Sequence, residues 1–219
     1  MRLELEITHR CNKMCKLCDH RITSSPYDYL SWGQFAAIME AAGDDFDRAL
    51  LIGGEPLVHP SFATLAWAAL ERWGRVQVAT NGKLLPRTAY YDPALFEALE
   101  WVVQQYPGWN DGAVTQFGQK PNVTVRPYRE FWDPYVDPNF DEEMARRVAA
   151  ECLHQVRLVG TRLYRCCLSE SVERYYQTDP VHVEFSENWR QDWEALPVWK
   201  ACAHCFRAWD IVWQKWRWR

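Results

Sequence analysis

The sequence contains no run of about 18 apolar residues, which is the length that a membrane-spanning helix needs. Its first ten residues, MRLELEITHR, alternate apolar and polar side chains, so they lack the apolar stretch of a secretory signal. An excess of positive charge is also missing, because the formal net charge is −4. The chain as a whole is therefore not attracted to phosphate backbones. These absences predict a cytoplasmic protein that does not span a membrane and for which nucleic acid is not the default partner.

Cysteine is missing from the middle of the chain, between residues 19 and 151. Three of the eight cysteines lie near the start and five lie in the last third. The five are Cys152, Cys166, Cys167, Cys202 and Cys205. In a reducing compartment, clustered cysteines serve as metal ligands or catalysts more often than as disulfides. Cysteines with only a packing role are not expected to segregate in this way.

The first hundred residues alternate segments that are typical of strands and of helices. The predicted strands are residues 3–8, 48–52, 75–79 and 101–105, and the predicted helices are residues 31–42, 61–73 and 93–100. Ser31 and Ser61 are the expected caps of the first two helices. This order predicts parallel strands with helices outside them, which is an α/β architecture.

The pattern is weaker after residue 106. The predicted elements are a loop at 107–122, a fifth strand at 122–128, a charged helix at 141–151 and a hairpin at 156–166. Near the end of the chain, Trp209, Trp213 and Trp216 recur at helical spacing. We expect this aromatic face to close the core; a contact with a partner, nucleic acid or membrane is the alternative.

Four polar motifs directly follow predicted strands. They are the loop that contains Cys11, the segment Gly53–Pro56, the segment Ala79–Gly82 and the pair Gln104 and Gln105. In folds built on parallel strands, reactive groups lie on the loops after the carboxyl ends of the strands. We therefore expect all four motifs at one edge of the sheet.

The first motif has the spacing Cys11-x3-Cys15-x2-Cys18. Thiolates are soft ligands that suit iron–sulfur clusters and zinc. A structural cluster or zinc site normally fills four positions, yet no fourth cysteine lies nearby. The open position implies a ligand from a substrate or cofactor. A zinc knuckle, or thiols without any metal, is the alternative.

The segment from Thr8 to Cys18, THRCNKMCKLC, resembles the cluster loop of the radical S-adenosylmethionine (SAM) superfamily. The resemblance implies that its three cysteines hold a 4Fe–4S cluster whose fourth iron is chelated by the amino and carboxylate groups of SAM. It also implies a one-electron reductant of the flavodoxin or ferredoxin type, and a 5′-deoxyadenosyl radical that abstracts hydrogen from the substrate. Leu17 departs from the family, which usually has an aromatic residue near the adenine.

The same resemblance assigns SAM contacts to the other motifs at this edge. The residues are Gly53, Gly54, Glu55, Pro56, Thr80, Asn81, Gln104 and Arg126. Glu55 is expected to accept hydrogen bonds from the SAM amino group, together with the glycine backbone. Gln104 is preferred over Gln105 for the ribose or carboxylate, because only one of them can face inward. Ordinary turns, and an exposed salt bridge for Arg126 or Arg129, are the alternatives.

The C-terminal cysteines resemble those of the twitch subdomain, the shortened relative of the SPASM domain. Cys202 and Cys205 form a closely spaced pair, and the predicted hairpin brings Cys152 towards Cys166. The resemblance implies that these four thiolates hold an auxiliary 4Fe–4S cluster. The hairpin glycine stands one residue farther from Cys166 than in the pattern, and Cys167 is farther still, so Cys166 is preferred and Cys167 is the substitute candidate. A structural zinc ion is the alternative.

The combined expectation is an α/β fold, a partial (β/α) barrel of about five or six parallel strands, with a small cysteine-rich lobe. Residues 1–140 form the expected core, and residues 141–219 form the lobe and the aromatic tail. The expected reaction is hydrogen abstraction from a small molecule or short peptide. A small-molecule dehydrogenase and a maturase that crosslinks or epimerises a ribosomal peptide are its two forms. A non-enzymatic zinc-binding interaction protein is the further alternative.

Overall fold

The computed structural model describes residues 1–15, 18, 28–106, 108–127, 141–151, 156–166, 169–177, 181–197 and 202–204. The strands are β1 (Arg2–Thr8), β2 (Arg48–Gly53), β3 (Val76–Thr80), β4 (Glu100–Gln105), β5 (Val123–Pro127), β6 (Val156–Val159), β7 (Arg162–Tyr164) and β8 (Val183–Glu184). The helices are α1 (Trp32–Ala42), α2 (Phe62–Trp73), α3 (Leu85–Tyr91), α4 (Pro93–Ala98), α5 (Asp111–Phe117), α6 (Glu142–Glu151), α7 (Ser169–Tyr176) and α8 (Trp189–Ala195), with a 3-10 turn at Pro56–Val58.

The strands in the described part of the chain form one sheet in the order β5-β4-β3-β2-β1-β6-β7-β8. Strands β1 to β6 are parallel, whereas β7 and β8 are antiparallel to their neighbours. The prediction of a largely parallel α/β sheet is therefore confirmed. The barrel is not confirmed, because β5 and β8 end the sheet as separate edges among these residues. A tight hairpin follows β6 and turns the chain back, where another crossover would have continued the parallel series.

The two faces of the sheet differ in polarity, as β1 shows most clearly. Leu3, Leu5 and Ile7 point into the apolar core, where they are joined by residues of α1 and α2. Glu4 and Glu6 alternate with them and face the other side of the sheet, where they are also buried. The polar face therefore needs partners for charged groups that water does not reach.

Most predicted elements agree with the structure, and the differences have local causes. Ser31 caps α1 with a capping box that includes Gln34, whereas the Ser61 side chain makes no capping bond to α2. The predicted loop at 107–122 is wrong, because α5 lies within it and buries Ala113 and Phe117. Its glycines and short length concealed the helical spacing. Helix α3 was also not predicted.

The predicted hairpin at 156–166 is confirmed as β6 and β7. Its first strand joins the main sheet, since Leu3 pairs with Val156 in parallel register. Trp189 in α8 is buried against Phe46, with ring centroids 4.8 Å apart. The three tryptophans at helical spacing, Trp209, Trp213 and Trp216, lie outside the described residues. Within the described residues, no helix has both the length and the apolar character to cross a membrane.

Candidate functional site

The carboxyl ends of β1 and β2 touch directly. The Gly54 N–H donates to the Thr8 carbonyl at 2.8 Å, and the Glu55 N–H donates to the Arg10 carbonyl at 2.9 Å. A Cβ atom at Gly53 would lie 2.2 Å from the Thr8 oxygen, and one at Gly54 would lie 2.6 Å from the Arg10 oxygen. Both glycines are therefore needed where the turn after β2 packs against the start of the cysteine loop.

The far end of the cysteine loop returns to the same place. The Thr8 hydroxyl donates to the Asp28 carbonyl at 2.6 Å, and the Leu30 N–H donates to the Ile7 carbonyl at 2.8 Å. His59, just after the 3-10 turn, has its Nε2 3.0 Å from the Leu30 carbonyl, while its Nδ1 accepts from the Ser61 N–H at 3.0 Å. Since Nδ1 is an acceptor, Nε2 carries the proton and donates. His59 therefore ties the end of this loop to the turn after β2.

Glu55 is fully buried and joins the turns after β2 and β3. Its Oε1 accepts from the Thr80 hydroxyl at 2.7 Å and the Leu57 N–H at 3.1 Å, and its Oε2 accepts from the Asn81 N–H at 2.7 Å. Burial raises the pKa of Glu55 to about 7, and the three hydrogen bonds oppose this rise. A carboxylate accepts up to about four hydrogen bonds, so Oε2 can take another donor.

Asn81 extends this arrangement to the first cysteine. Its Nδ2 donates to Asn12 Oδ1 at 2.8 Å and lies 3.8 Å from Cys11 Sγ, and its Oδ1 accepts from the Lys83 N–H at 3.1 Å. The turn after β3 and the cysteine loop are thus in direct contact. The expected meeting of the motifs at one sheet edge is observed for the turns that follow β1, β2 and β3.

Cys11 lies in a half-buried position at this edge. Burial is the main reason that the pKa of its thiol is raised to about 11, and Glu55, Cys15 and Cys18 raise it further. The Lys13 N–H donates to Cys11 Sγ at 3.3 Å and acts in the opposite direction. Among the described residues, no three His, Cys, Asp or Glu side chains are arranged to hold one metal ion. In a cubane, by contrast, each thiolate binds a separate iron.

Gln104 and Arg126 lie opposite each other on β4 and β5. Both occupy the sheet face away from Trp101 and Val103, which point into the apolar core. Gln105 occupies the core side by the same alternation. Gln104 therefore lies on the polar face of the sheet, whereas its contact with SAM, and that of Arg126, stay predictions.

Asn110 is a buried residue that sequence reasoning missed. Its Nδ2 donates to the Asn81 carbonyl at 2.6 Å and to the Gln104 carbonyl at 2.7 Å, and its Oδ1 accepts from the Tyr106 N–H at 2.8 Å. It therefore joins the turns after β3 and β4. The only sequence signal was a polar residue just before a short helix, and that helix was assigned to a loop.

A buried ion cluster of Glu6, His9 and Arg157 lies on the polar face of the sheet. His9 Nε2 is 3.0 Å from one Glu6 oxygen, and the Arg157 guanidinium pairs with the other. The Glu170 carboxyl on α7 lies close enough to interact with all three, and burial raises its pKa. The cluster thus connects β1, just before the cysteine loop, with β6 and α7. The polar alternation of β1 was its sequence signal.

The second cysteine group is described only in part. Cys166 and Cys202 are buried, whereas Cys152, Cys167 and Cys205 lie outside the described residues. Leu17 and Arg129 lie outside them as well. The auxiliary cluster and the choice between Cys166 and Cys167 therefore stay predictions.

Comparison with known proteins supports a radical SAM domain. Residues 5–99 match the family model described as Radical SAM superfamily. The chain is 30% identical over 101 residues to an S-adenosylmethionine-dependent nucleotide dehydratase of Selenomonas ruminantium, covering 43% of this chain and 35% of that protein. It is 32% identical over 87 residues to a tungsten-containing aldehyde ferredoxin oxidoreductase cofactor-modifying protein of Pyrococcus furiosus, covering 38% and 24%. The matches thus span about a third or less of these relatives.

Solved structures match over most of the chain. BtrN in complex with AdoMet and 2-DOIA has a TM-score of 0.63 and 19% identity, covering 91% of this chain and 84% of that one. Selenomethionine BtrN in an open conformation has a TM-score of 0.56 and 15% identity, covering 91% and 82%. At these identities the likeness concerns the fold, including the region beyond residue 99.

Proposed function

We propose that this chain is a radical SAM enzyme that cleaves SAM reductively and abstracts a hydrogen atom from a small-molecule or short-peptide substrate. The observation that carries the proposal is the meeting of the cysteine loop with the turns after β2 and β3, through Glu55 and Asn81. These motifs lie inside the segment that matches the radical SAM family.

The residues at this edge fit a 4Fe–4S cluster held by Cys11, Cys15 and Cys18. The raised pKa of Cys11 means that the half-buried thiolate is costly without a cation nearby, and iron would supply that charge. The Lys13 N–H and the Asn81 side chain already face this sulfur. With the cluster and SAM bound, the chemistry supplied is one-electron cleavage of SAM followed by hydrogen abstraction.

The chain's own side chains would hold SAM by charge and hydrogen bonding. Glu55 has one acceptor position left on Oε2 and would take the SAM ammonium group. Arg126 would pair with the carboxylate, and Gln104, its neighbour across the strands, would bind the ribose or carboxylate. Thr80 and Asn81 would act by fixing Glu55 in place.

We further propose that Cys152, Cys166, Cys202 and Cys205 hold an auxiliary 4Fe–4S cluster that accepts or supplies an electron during oxidation or bond formation. The burial of Cys166 and Cys202 supports shielded ligand positions. Strand β6, beyond the proposed boundary at residue 140, pairs with β1, so the second region shares the sheet of the first. An external flavodoxin or ferredoxin would supply the reducing electron.

Anaerobic turnover tests the proposal. The reconstituted full chain, reduced with dithionite and given SAM, is expected to form 5′-deoxyadenosine, which mass spectrometry detects. A Cys15→Ala variant should form none, whereas Met14→Ala, which changes an exposed neighbour, should retain activity. Bound zinc without sulfide, and no 5′-deoxyadenosine from any variant, would favour the zinc-binding interaction protein.

Metal content tests the auxiliary cluster separately. About eight irons and about eight sulfides per chain are expected with both clusters, and about four of each after Cys166→Ala and Cys202→Ala are combined. An unchanged iron content in that double variant would contradict the auxiliary site. Candidate substrates then divide the two reaction forms: oxidation of an alcohol or amino sugar indicates a dehydrogenase, whereas a crosslinked or epimerised peptide indicates a maturase.

A further inference from the structure

Lys13, between the first two cysteines, is held against an aromatic pair. Its Nζ lies 4.1 Å from the centroid of the Trp109 ring and 4.8 Å from that of Tyr106. The two rings are nearly perpendicular, with centroids 6.0 Å apart, so they form a corner that receives the ammonium group. A cation over an aromatic face is attracted by the ring quadrupole, more strongly where water is partly excluded.

The corner that carries these rings is firmly attached to the sheet. The Trp109 N–H donates to the Tyr106 carbonyl at 3.0 Å, which closes a turn directly after β4. The buried Asn110 side chain then connects this turn to the carbonyls of Asn81 and Gln104. The rings are therefore anchored by buried hydrogen bonds at the ends of β3 and β4, although they lie on a loop.

The backbone of Lys13 contacts the first cysteine of the same loop. Its N–H donates to Cys11 Sγ at 3.3 Å, while Asn12 is held by Asn81. Fixing the Lys13 side chain on the rings therefore limits the directions that its own N–H can take. Hydrogen bonds to ligand sulfurs are among the features that set the reduction potential of an iron–sulfur cluster.

We propose that Lys13, Tyr106 and Trp109 form an aromatic clamp that positions the cysteine loop and keeps the Lys13 N–H on Cys11 Sγ. All three act as positioning residues. The effect on a cluster rests on the proposed function, whereas the hold on the loop does not. With the clamp intact, the hydrogen bond stabilises the more negative, reduced state and raises the reduction potential. Loss of the clamp lowers that potential.

Limited trypsin digestion of the full chain tests the hold on the loop without any cofactor. The Lys13 side chain must leave the rings before trypsin can bind it. Trp109→Leu is expected to speed cleavage after Lys13 about fivefold, as the loss of about 1 kcal/mol implies, whereas Trp109→Phe keeps a ring and should stay near the wild type. Trp67→Leu, at a partly exposed tryptophan outside the clamp, is the matched control.

Cleavage after Arg146, exposed on α6, reports general unfolding in the same digests. A faster cut after Lys13 with an unchanged cut after Arg146 supports the clamp. An unchanged cut after Lys13 in Trp109→Leu overturns it. A variant that loses its fold is cut faster at both sites. In that case, hydrogen exchange of the Cys11–Cys15 amides is compared between the wild type and Lys13→Met. Faster exchange in Lys13→Met supports the clamp, and unchanged exchange overturns it.

The second measurement is the midpoint potential of the reconstituted cluster, followed by electron paramagnetic resonance on the signal that responds to SAM. Trp109→Leu should lower the potential and Trp109→Phe should restore it, with no change in protein charge. An unchanged potential at wild-type iron content overturns the part of the proposal that concerns Cys11. If no preparation binds iron and sulfide, the proposed function fails, and the digestion still decides whether the clamp exists.

Discussion

The interior and carboxyl edge of the sheet differ from its amino edge in how deeply their polar side chains are buried. At the carboxyl edge Glu55 is buried and accepts hydrogen bonds from the buried residues Thr80 and Asn81, and the Glu6 ion cluster is buried nearby. At the amino edge, Arg75 and Glu100 form a pair that is 61% and 38% exposed, beside a cavity of about 70 Å³. Polar groups therefore contribute to the stability of the fold at the carboxyl edge and contribute little at the amino edge.

This contrast indicates where polar groups are buried at a cost in folding free energy. Burying a carboxyl or guanidinium group is unfavourable unless partners compensate for the lost water. Exposed pairs contribute little, since water and salt already solvate and screen them. Costly polar groups are concentrated beside the cysteine loop, which is what a site for charged ligands requires.

The largest expected effect comes from breaking the buried ion cluster. Arg157→Ala leaves the Glu6 carboxylate buried without its guanidinium partner, which should lower the free energy of unfolding by about 3 kcal/mol or more. Arg75→Ala, at the exposed pair, should leave it nearly unchanged. Urea denaturation of both variants measures the difference, and equal effects would remove the distinction between the two regions.

The next effect concerns the carboxyl group that joins two turns. Glu55→Ala leaves the Thr80 hydroxyl and the N–H groups of Leu57 and Asn81 without their acceptor, so we expect a loss of about 2–3 kcal/mol. Glu100→Ala is the control at the amino edge and should change stability little. A Glu55→Ala protein as stable as the control would mean that the turns do not depend on this carboxylate.

A methyl group added at a glycine tests the contact between the turn and the cysteine loop. Gly54→Ala places a Cβ 2.6 Å from the Arg10 oxygen and should cost about 2 kcal/mol as the backbone shifts. Gly112→Ala, with nothing within 4 Å and a position in α5, should stabilise the protein by about 0.5 kcal/mol or more. Thermal unfolding distinguishes them, and a harmless Gly54→Ala would refute the close approach.

The smallest expected effect is a pH dependence from His59. Burial lowers its pKa below the ordinary value of 6.5, so the unfolded chain takes up the proton first. The stability due to neutral His59 is present above 6.5 and is lost as the pH falls through 6.5 towards the lower folded pKa. Glu55, whose pKa is raised to about 7, titrates in the same range with the opposite effect on stability. The loss is therefore measured as the difference between unfolding curves of the wild type and of a His59 variant, from about pH 7.5 to about pH 5.5.

His59→Gln removes the imidazole and serves as the control for this titration. The stability difference between the wild type and the variant should shrink as the pH falls, because only the wild type loses the contribution of neutral His59. A constant difference over the whole range would mean that His59 does not titrate between the two states. Its bonds to Leu30 and Ser61 would then be purely structural.

Much of the fold was predictable because strand and helix signals were strong in the first hundred residues. The apolar alternation of β1 and the Ser31 cap of α1 give local signals that the tertiary structure leaves intact. Helix α5 was missed because seven residues with an internal glycine carry little periodicity. The pairing of β6 with β1 was missed because it depends on contacts about 150 residues apart, which no local pattern encodes.

Site residues that form a motif of fixed spacing could be predicted from the sequence. Site residues whose role depends on burial against distant parts of the chain could not. The cysteine spacing and the Gly53–Gly54–Glu55 turn are visible in the sequence. Asn110 and Arg157 are not, since each owes its role to partners brought together only by folding. The close approach of Gly53 to Thr8 and of Gly54 to Arg10 was not visible in the sequence, and the contact of these glycines with SAM stays a prediction.

The most direct test of the central claim measures whether SAM binds the iron that the three cysteines leave open. Reduced protein given SAM labelled with 15N at the amino group should show a hyperfine coupling between that nitrogen and the cluster. The coupling should disappear in Cys15→Ala and persist in Met14→Ala. A loaded cluster that shows no coupling to SAM, or a protein side chain bound to the fourth iron, would contradict the account.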